Sequence, residues 1–205
     1  DNTLFIFTSD NGGLSHLVNA KGWSRGPTDN SPARLGKGSA YDGGVRVPFI
    51  AAWPGVIPQG EECDVPIISY DVLPTVLAAI SGNEEKAQGI DGESLMPLLT
   101  QKDLLKRDAI YWHYPHYHPG SATPYSAIRE GDWKLIEFYE DNRLELYNLR
   151  RDPGESQNMA EVDGDVTERL LKQLQEWRAE VGAQEPEGNP DFDPERLYES
   201  VKKER

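Results

Sequence analysis

The stretch "TLFIFTSDNGG", from Thr3 to Gly13, decides how the first half of the chain folds. Residues 3–8 form a short, continuous apolar run bounded by turn residues, which is typical of a strand buried on both faces of an α/β sheet. Asp10 and Asn11 follow at the point where this strand ends. Because ligands gather at the carboxyl ends of strands in open α/β sheets, this acid and amide are candidates for a binding role.

Two interpretations of Asp10 and Asn11 remain open on these residues alone. Asp and Asn commonly begin a turn before glycine, which is what Gly12 and Gly13 would then complete. The same two side chains also supply the hard oxygen ligands that Ca²⁺ or Mg²⁺ takes in proteins.

The rest of the first half contains a second strand and a helix. Residues 12–44 are rich in glycine and poor in large apolar side chains, so they are predicted to form a long loop. A second buried strand is predicted at 47–53 and a helix at 69–82, with Ser69 as its N-cap. The segment "GESLMPLLT" predicts a short helix or turn.

One lysine in the glycine-rich loop is a second candidate for the site. Lys37 lies between Gly36 and Gly38, so its backbone can approach a ligand closely. A lysine held this way can bind a tetrahedral oxyanion as a point charge. The alternative is a solvent-facing lysine in a flexible connector.

The second half has a different pattern. "DAIYWHYPHY" predicts an aromatic strand, and two or three further strands follow with turns at "EGD" and "EDN". Apolar residues at helical spacing then predict an amphipathic helix at 165–181. We therefore divide the chain into an α/β portion at 1–105 and an antiparallel sheet with a packed helix and an acidic tail at 106–205.

Composition excludes several classes of partner and site. The chain has 205 residues and a net charge of −14, which argues against nucleic acid or an anionic membrane as partner. The single cysteine, Cys63, rules out an intrachain disulfide and a cysteine-rich zinc site. No apolar run is long enough to span a membrane.

Several segments together resemble a known family. "FTSDNGG", "PARLGKGSAYDGGVRVP" and "WPG" resemble the C-terminal half of the type I sulfatases, the arylsulfatase-like branch of the alkaline phosphatase superfamily. The resemblance continues through "YDVLPTVLAAISG", "IDGESLMPLL", "AIREGDWKLI" and "LELYNLRRDPGESQNMA", and so covers almost the whole chain. Asp42 stands where such proteins usually have Glu, and Ala33 where Leu is common. Both departures concern structural positions.

The resemblance implies a fold, an activity and a site. The fold would be the C-terminal part of an alkaline-phosphatase-like α/β sheet domain, followed by a small antiparallel sheet with a packed helix. The activity would be that of a sulfuric ester hydrolase in the periplasm or outside the cell. Asp10 and Asn11 match the family's second pair of calcium ligands. Lys37 matches the catalytic lysine that contacts the sulfate and helps to neutralise the leaving oxygen.

Other parts of that family's site are not found in this sequence. The family makes its formylglycine nucleophile from a C/S-x-P-x-R motif, and neither Cys63 in "CDVPI" nor Ser31 in "NSPAR" has that spacing. The first acidic calcium pair is also absent. We therefore expect an N-terminal segment of the same protein to supply both, and we expect the chain alone to be inactive.

The resemblance leaves the substrate and the exact activity open. A sulfated small molecule or a sulfated carbohydrate is the expected substrate. A phosphate or phosphonate monoester hydrolase, or a non-catalytic binding module that keeps the fold, remains an alternative.

The stretch "WHYPHYHPG" places His113, His116 and His118 within six residues. We interpret His113 and His116 as part of a substrate pocket, where imidazole could contact a sulfated sugar. Two alternatives remain: a transition-metal site, since imidazole suits such metals, and an aromatic strand with surface histidines.

Overall fold

The computed structural model describes residues 2–19, 22–82, 89–118, 122–188 and 190. The part of the predicted acidic tail from 191 onward lies outside these residues. Among the described residues, no helix is long and apolar enough to cross a membrane. The elements follow one another as β1 (Phe5–Thr8), β2 (His16–Asn19), β3 (Gly22–Arg25), α1 (Asp42–Val45), β4 (Phe49–Ala52), α2 (Val72–Ser81), α3 (Met96–Leu99), β5 (Ala109–Tyr114), β6 (Tyr125–Glu130), β7 (Trp133–Phe138), β8 (Arg143–Asn148) and α4 (Gly164–Val181).

The first and second predicted strands pair with each other. β1 and β4 run antiparallel, with Phe5 opposite Ala52 and Thr8 opposite Phe49. The prediction that this strand is buried on both faces is wrong for this chain, because Phe5 is 56% exposed and Phe7 is 50% exposed. The reason is that a two-stranded ribbon covers neither of its own faces, and no other described element packs over these two rings.

The predicted loop at 12–44 is more structured than its glycine content suggests. It contains the antiparallel hairpin β2–β3 and ends in the single helical turn α1. The prediction of a loop without strands is therefore wrong. Strands are recognised in a sequence by their apolar side chains, and glycine has none. Its backbone can still form the hydrogen bonds of a strand pair.

The predicted helix at 69–82 begins with a 3-10 turn at Ser69–Asp71 and continues as α2 to a left-handed Gly82. Ser69 is not the cap that the sequence predicted. The buried Asp71 carboxylate instead accepts hydrogen bonds from the backbone N–H groups of Ile68 and Glu93, at 2.9 and 3.1 Å. Arg107 donates both guanidinium nitrogens to the same carboxylate, each at 2.5 Å. This ion pair fastens the start of α2 to the chain that enters β5.

The second half is a four-stranded antiparallel meander in the order β5-β6-β7-β8. The predicted turns at "EGD" and "EDN" connect β6 to β7 and β7 to β8. Gly131 and Asn142 have positive φ there, +56° and +54°. The predicted helix at 165–181 is confirmed as α4.

The two faces of this sheet are covered by different parts of the chain. On one face Ile128, Leu135 and Leu146 pack against Leu170 and Leu174 of α4. On the opposite face the neighbouring side chains Ala127, Ile136 and Tyr147 pack against Ala40 and Tyr41 of the glycine-rich segment. The segment that carries Lys37 therefore forms part of the core of the sheet. The division of the chain near residue 105 stays a prediction.

A buried lysine links this segment to the sheet. Lys134 of β7 is fully buried, and its Nζ lies 2.9 Å from Asp42 Oδ1 and 2.8 Å from Glu155 Oε1. The second oxygen of Glu155 accepts the backbone N–H of Asp42 at 2.7 Å. Burial raises the pKa of the Glu155 carboxyl above its ordinary value, although Lys134 acts in the opposite direction. The ammonium therefore favours the charged form of the Glu155 carboxylate, which burial disfavours.

Replacing Lys134 with Met should lower the free energy of unfolding by about 3–5 kcal/mol, because the buried Glu155 carboxylate then lacks its cation. Among the described residues, Asp42 keeps only Arg129 as a cationic partner, at 3.9 Å. Urea denaturation of the chain at pH 8 measures this loss. Lys172→Met is the matched control, since its exposed pair with Glu176 at 3.7 Å should be worth less than about 0.5 kcal/mol.

The Lys134→Met deficit should shrink as the pH is lowered. Burial raises the pKa of the Glu155 carboxyl in the folded chain, and the variant lacks the Lys134 ammonium that opposes that shift. The penalty is therefore complete above the folded pKa and disappears below the unfolded pKa. A deficit that is independent of pH, or below about 1 kcal/mol, would contradict a central role for this ion pair.

Candidate active site

The end of β1 presents two oxygen-bearing side chains. Asp10 is exposed, and Asn11 is fixed by hydrogen bonds to its backbone carbonyl and from its side-chain amide nitrogen. The Ser9 hydroxyl donates to the Asn11 carbonyl at 3.0 Å, and Asn11 Nδ2 donates to the Gly12 carbonyl at 3.0 Å. Within the described residues, neither the Asp10 carboxylate nor Asn11 Oδ1 accepts a hydrogen bond or pairs with a cation. Both oxygens are therefore available to a ligand.

The segment that carries Lys37, here called the lysine loop (residues 30–44), is fastened to this strand end. The Gly13 carbonyl accepts the backbone N–H of Lys37 at 3.0 Å and the side-chain amide of Asn30 at 2.8 Å. Asn30 Nδ2 also lies 3.0 Å from the Leu35 carbonyl. Two residues after Asn11, the chain is thus bonded directly to the backbone of Lys37.

A second backbone bond brings the far end of the lysine loop to the same place. The Gly12 N–H donates to the Gly44 carbonyl at 2.9 Å. The two chains approach so closely that a Cβ at Gly12 would overlap the Gly43 carbonyl oxygen. Glycine at position 12 is therefore required by the contact between strand end and loop.

Lys37 itself is exposed, while Gly36 before it is buried. Among the described residues no carboxylate pairs with its ammonium group. The lysine loop therefore presents an unneutralised positive charge on a backbone that is hydrogen-bonded to the strand end.

The three histidines of "WHYPHYHPG" lie in different surroundings. His113 lies on the sheet face that α4 covers, where Nδ1 is 2.8 Å from Ser126 Oγ and Nε2 is 2.9 Å from the Gln184 carbonyl. His116 is exposed and meets the ring of Tyr114 edge to face. The engaged ring of His113 favours a structural role, and the pocket roles of His113 and His116 stay predictions.

His118 is the histidine that lies beside the lysine loop, although the sequence analysis did not select it as a site residue. Gly38 has a φ of +81°, and a Cβ there would overlap the imidazole of His118. The backbone N–H of Ala122 also donates to the Gly38 carbonyl at 2.9 Å. No local signal distinguishes His118 from its neighbours, because its contact is made with a residue eighty positions earlier.

Residues 35–180 match the family model described as N-sulphoglucosamine sulphohydrolase, C-terminal. The chain belongs to the sulfatase family. It corresponds to the C-terminal portion of arylsulfatase-like enzymes.

Three similar proteins illustrate the relation. The chain is 37% identical to a sulfatase of Formosa agariphila, with 86% of this chain and 33% of that protein covered. It is 34% identical to human arylsulfatase A, and the match covers 89% of this chain and 39% of that protein. Among solved structures, the chain resembles BT4656 in complex with its substrate D-glucosamine-2-N,6-O-disulfate, with a TM-score of 0.63 and 27% identity. This match covers 89% of this chain and 35% of BT4656.

These values have two consequences. The chain spans only 33–39% of the length of these three sulfatases. The structural neighbours also support the fold class predicted from the sequence, the C-terminal part of an alkaline-phosphatase-like domain followed by an antiparallel sheet with a packed helix.

The donor set of this sulfatase chain suits a hard cation but is incomplete. Asp10 and Asn11 offer carboxylate and amide oxygens of the kind that calcium takes. The described residues contain no group of three His, Cys, Asp or Glu side chains that could hold a metal ion. Any calcium site built on Asp10 and Asn11 needs further ligands.

Gly38→Ala should destabilise the chain by about 1–2 kcal/mol, because an L-residue resists positive φ and the new Cβ meets His118. Combining it with His118→Ala should remove the overlap but not the φ strain. The two substitutions should therefore couple by at least about 0.5 kcal/mol in a double-mutant cycle of urea unfolding. Gly55→Ala is the control, since it has a similar φ of +80° and open space around it. Strictly additive losses would contradict the contact.

Proposed function

We propose that this chain supplies the sulfate-binding side of the active site in a calcium-dependent sulfatase that cleaves sulfate esters on carbohydrates. The single observation that carries the proposal is the Gly13 carbonyl, which binds the Lys37 backbone immediately after the Asp10–Asn11 pair. This bond keeps a free cationic side chain and two free oxygen donors in one small region. A sulfate ester with a bound cation needs both kinds of group.

Lys37 is the catalytic residue in this proposal. As the ester bond breaks, negative charge develops on the leaving oxygen, and an ammonium group already in place stabilises that charge without reorganising. The absence of a carboxylate partner among the described residues leaves the full charge of Lys37 to the substrate. A compact ammonium also suits a tetrahedral anion as a point charge.

Asp10 and Asn11 would hold calcium. The ion takes about 6–8 oxygen ligands, so the substrate, water and the remainder of the protein must supply most of them. When bound, such an ion polarises the sulfate oxygens as a Lewis acid.

We further propose that the N-terminal part of the sulfatase domain covers the exposed apolar surface of this chain and carries the formylglycine nucleophile. β1, β4 and α2 expose large apolar side chains, among them Phe5, Phe7, Ile50, Leu73 and Ile80. The end of β1, all of β4 with Ile50, and the first residue of α2 line an open groove of about 1680 Å³. This volume exceeds that of ordinary small-molecule pockets and suits a protein layer. The chain spans only 33% of the sulfatase of Formosa agariphila, so the family has ample chain for such a layer.

A sulfated carbohydrate is the proposed substrate class, supported by the disulfated glucosamine that is the substrate of BT4656. From family membership we also propose a periplasmic or secreted location. Hydrolysis of phosphate or phosphonate monoesters, or no hydrolysis at all, would be the outcome if the chemistry has diverged.

Lys37→Ala in the intact sulfatase should lower kcat for an aryl sulfate by about 10²–10³-fold, the scale for one preorganised charge-stabilising donor. The KM should change less, because the interaction strengthens as charge develops in the transition state. Lys172→Ala, also an exposed lysine, is the control and should keep both constants. An unchanged kcat in Lys37→Ala, with the melting temperature retained, would remove this lysine from the mechanism.

Calcium should bind the isolated chain only weakly, with a dissociation constant in the millimolar range or above, because most of the ligands are not provided by it. Isothermal titration calorimetry with CaCl₂ measures this, and Asp10→Asn should weaken the binding further. Micromolar affinity would show that the chain already holds a complete ligand set.

A further inference from the structure

The loop between β5 and β6 lies against the lysine loop. Its described residues are 115–118 and 122–124. The backbone N–H of His118 donates to the Ala122 carbonyl at 2.9 Å, and the N–H of Ala122 donates to the Gly38 carbonyl at 2.9 Å. The imidazole of His118 occupies the space where a side chain on Gly38 would lie. These contacts fix the position of the loop relative to the residue that follows Lys37.

The contact limits the distance between Lys37 and the residue before His118. Gly38 adjoins Lys37, His118 adjoins Tyr117, and consecutive Cα atoms are about 3.8 Å apart, so the Cα atoms of Lys37 and Tyr117 lie within about 15 Å of each other. Two extended side chains and one sugar ring can bridge such a distance.

Tyr117 is an exposed but oriented aromatic side chain. It is 68% exposed, and its hydroxyl donates to Glu140 Oε1 at 2.7 Å. This hydrogen bond to the Glu140 carboxylate raises the pKa of Tyr117. A ring that is held by its polar end and open on its faces is suited to stack on an apolar surface of a ligand.

We propose that Tyr117 is a specificity-determining residue that stacks on the sugar whose sulfate ester Lys37 holds. This inference rests on the proposed function. Sugars present C–H groups on the faces of the ring and hydroxyl groups around its edge, so they match an aromatic face with a hydrogen-bonding rim. The contact between His118 and Gly38 places the segment that carries Tyr117 beside Lys37.

The test compares two classes of substrate of the intact sulfatase that contains this chain. Sulfated disaccharides prepared from heparin and carrageenan provide sugar rings, and an aryl sulfate lacks them. Tyr117→Ala should lower kcat/KM for the disaccharide by about tenfold, mainly through KM. The loss on the aryl sulfate should be at least fivefold smaller. Tyr117→Phe keeps the ring and should recover most of the disaccharide activity.

Val162→Ala is the control for removing an exposed side chain, since Val162 is 72% exposed and belongs to no part of the site. Equal losses on both substrates in Tyr117→Ala, or no loss on either, would overturn the inference and leave the proposed function intact. Failure of the unaltered enzyme to hydrolyse any of these esters would instead count against the proposed function and remove the inference with it. A lower melting temperature in Tyr117→Ala with equal losses would assign Tyr117 to protein packing.

Discussion

The ion pairs of Lys134 are the interaction on which the rest of this structure depends. A fully buried ammonium is unfavourable unless it is paired, and here two carboxylates from distant parts of the chain surround it. Asp42 comes from the lysine loop and Glu155 from the segment that follows β8. Because Glu155 also accepts the backbone N–H of Asp42, one lysine fixes three segments at once.

This cluster reaches the candidate site through backbone bonds. Asp42 begins α1, in which the Gly43 N–H donates to the Arg34 carbonyl at 3.0 Å and the Gly44 carbonyl accepts the N–H of Gly12. Arg34 in turn donates to the Glu155 carbonyl at 2.9 Å. The oxygens at the end of β1 are thus connected to β7 through the lysine loop. The antiparallel sheet serves as the support against which the site residues are positioned.

The sequence predicted the elements whose signals are local. The spacing of Leu170, Leu174 and Trp177 was sufficient for α4, and turn residues separated the strands from β6 to β8. Asp10, Asn11 and Lys37 were candidates from their positions in the sequence, the family resemblance supplied their roles, and those roles stay predictions. The burial of Lys134 could not be foreseen, because a lysine in an alternating strand normally faces solvent and its two partners are distant in sequence. The contact of His118 could not be foreseen either, because its partner Gly38 is eighty residues away. The exposure of β1 depends on which layer of the protein covers it, and the local sequence does not specify that layer.

Lys134 and Lys37 show how one side-chain type serves two purposes in this chain. At Lys134 the ammonium is buried and neutralised, so its charge stabilises the fold and is unavailable to a ligand. At Lys37 the backbone is fixed by Gly13, while the ammonium has no carboxylate partner among the described residues. A chain with a net charge of −14 has many acids that could pair with an exposed lysine. Glycine stands on both sides of Lys37, so neither adjacent position carries an acidic side chain that could neutralise it.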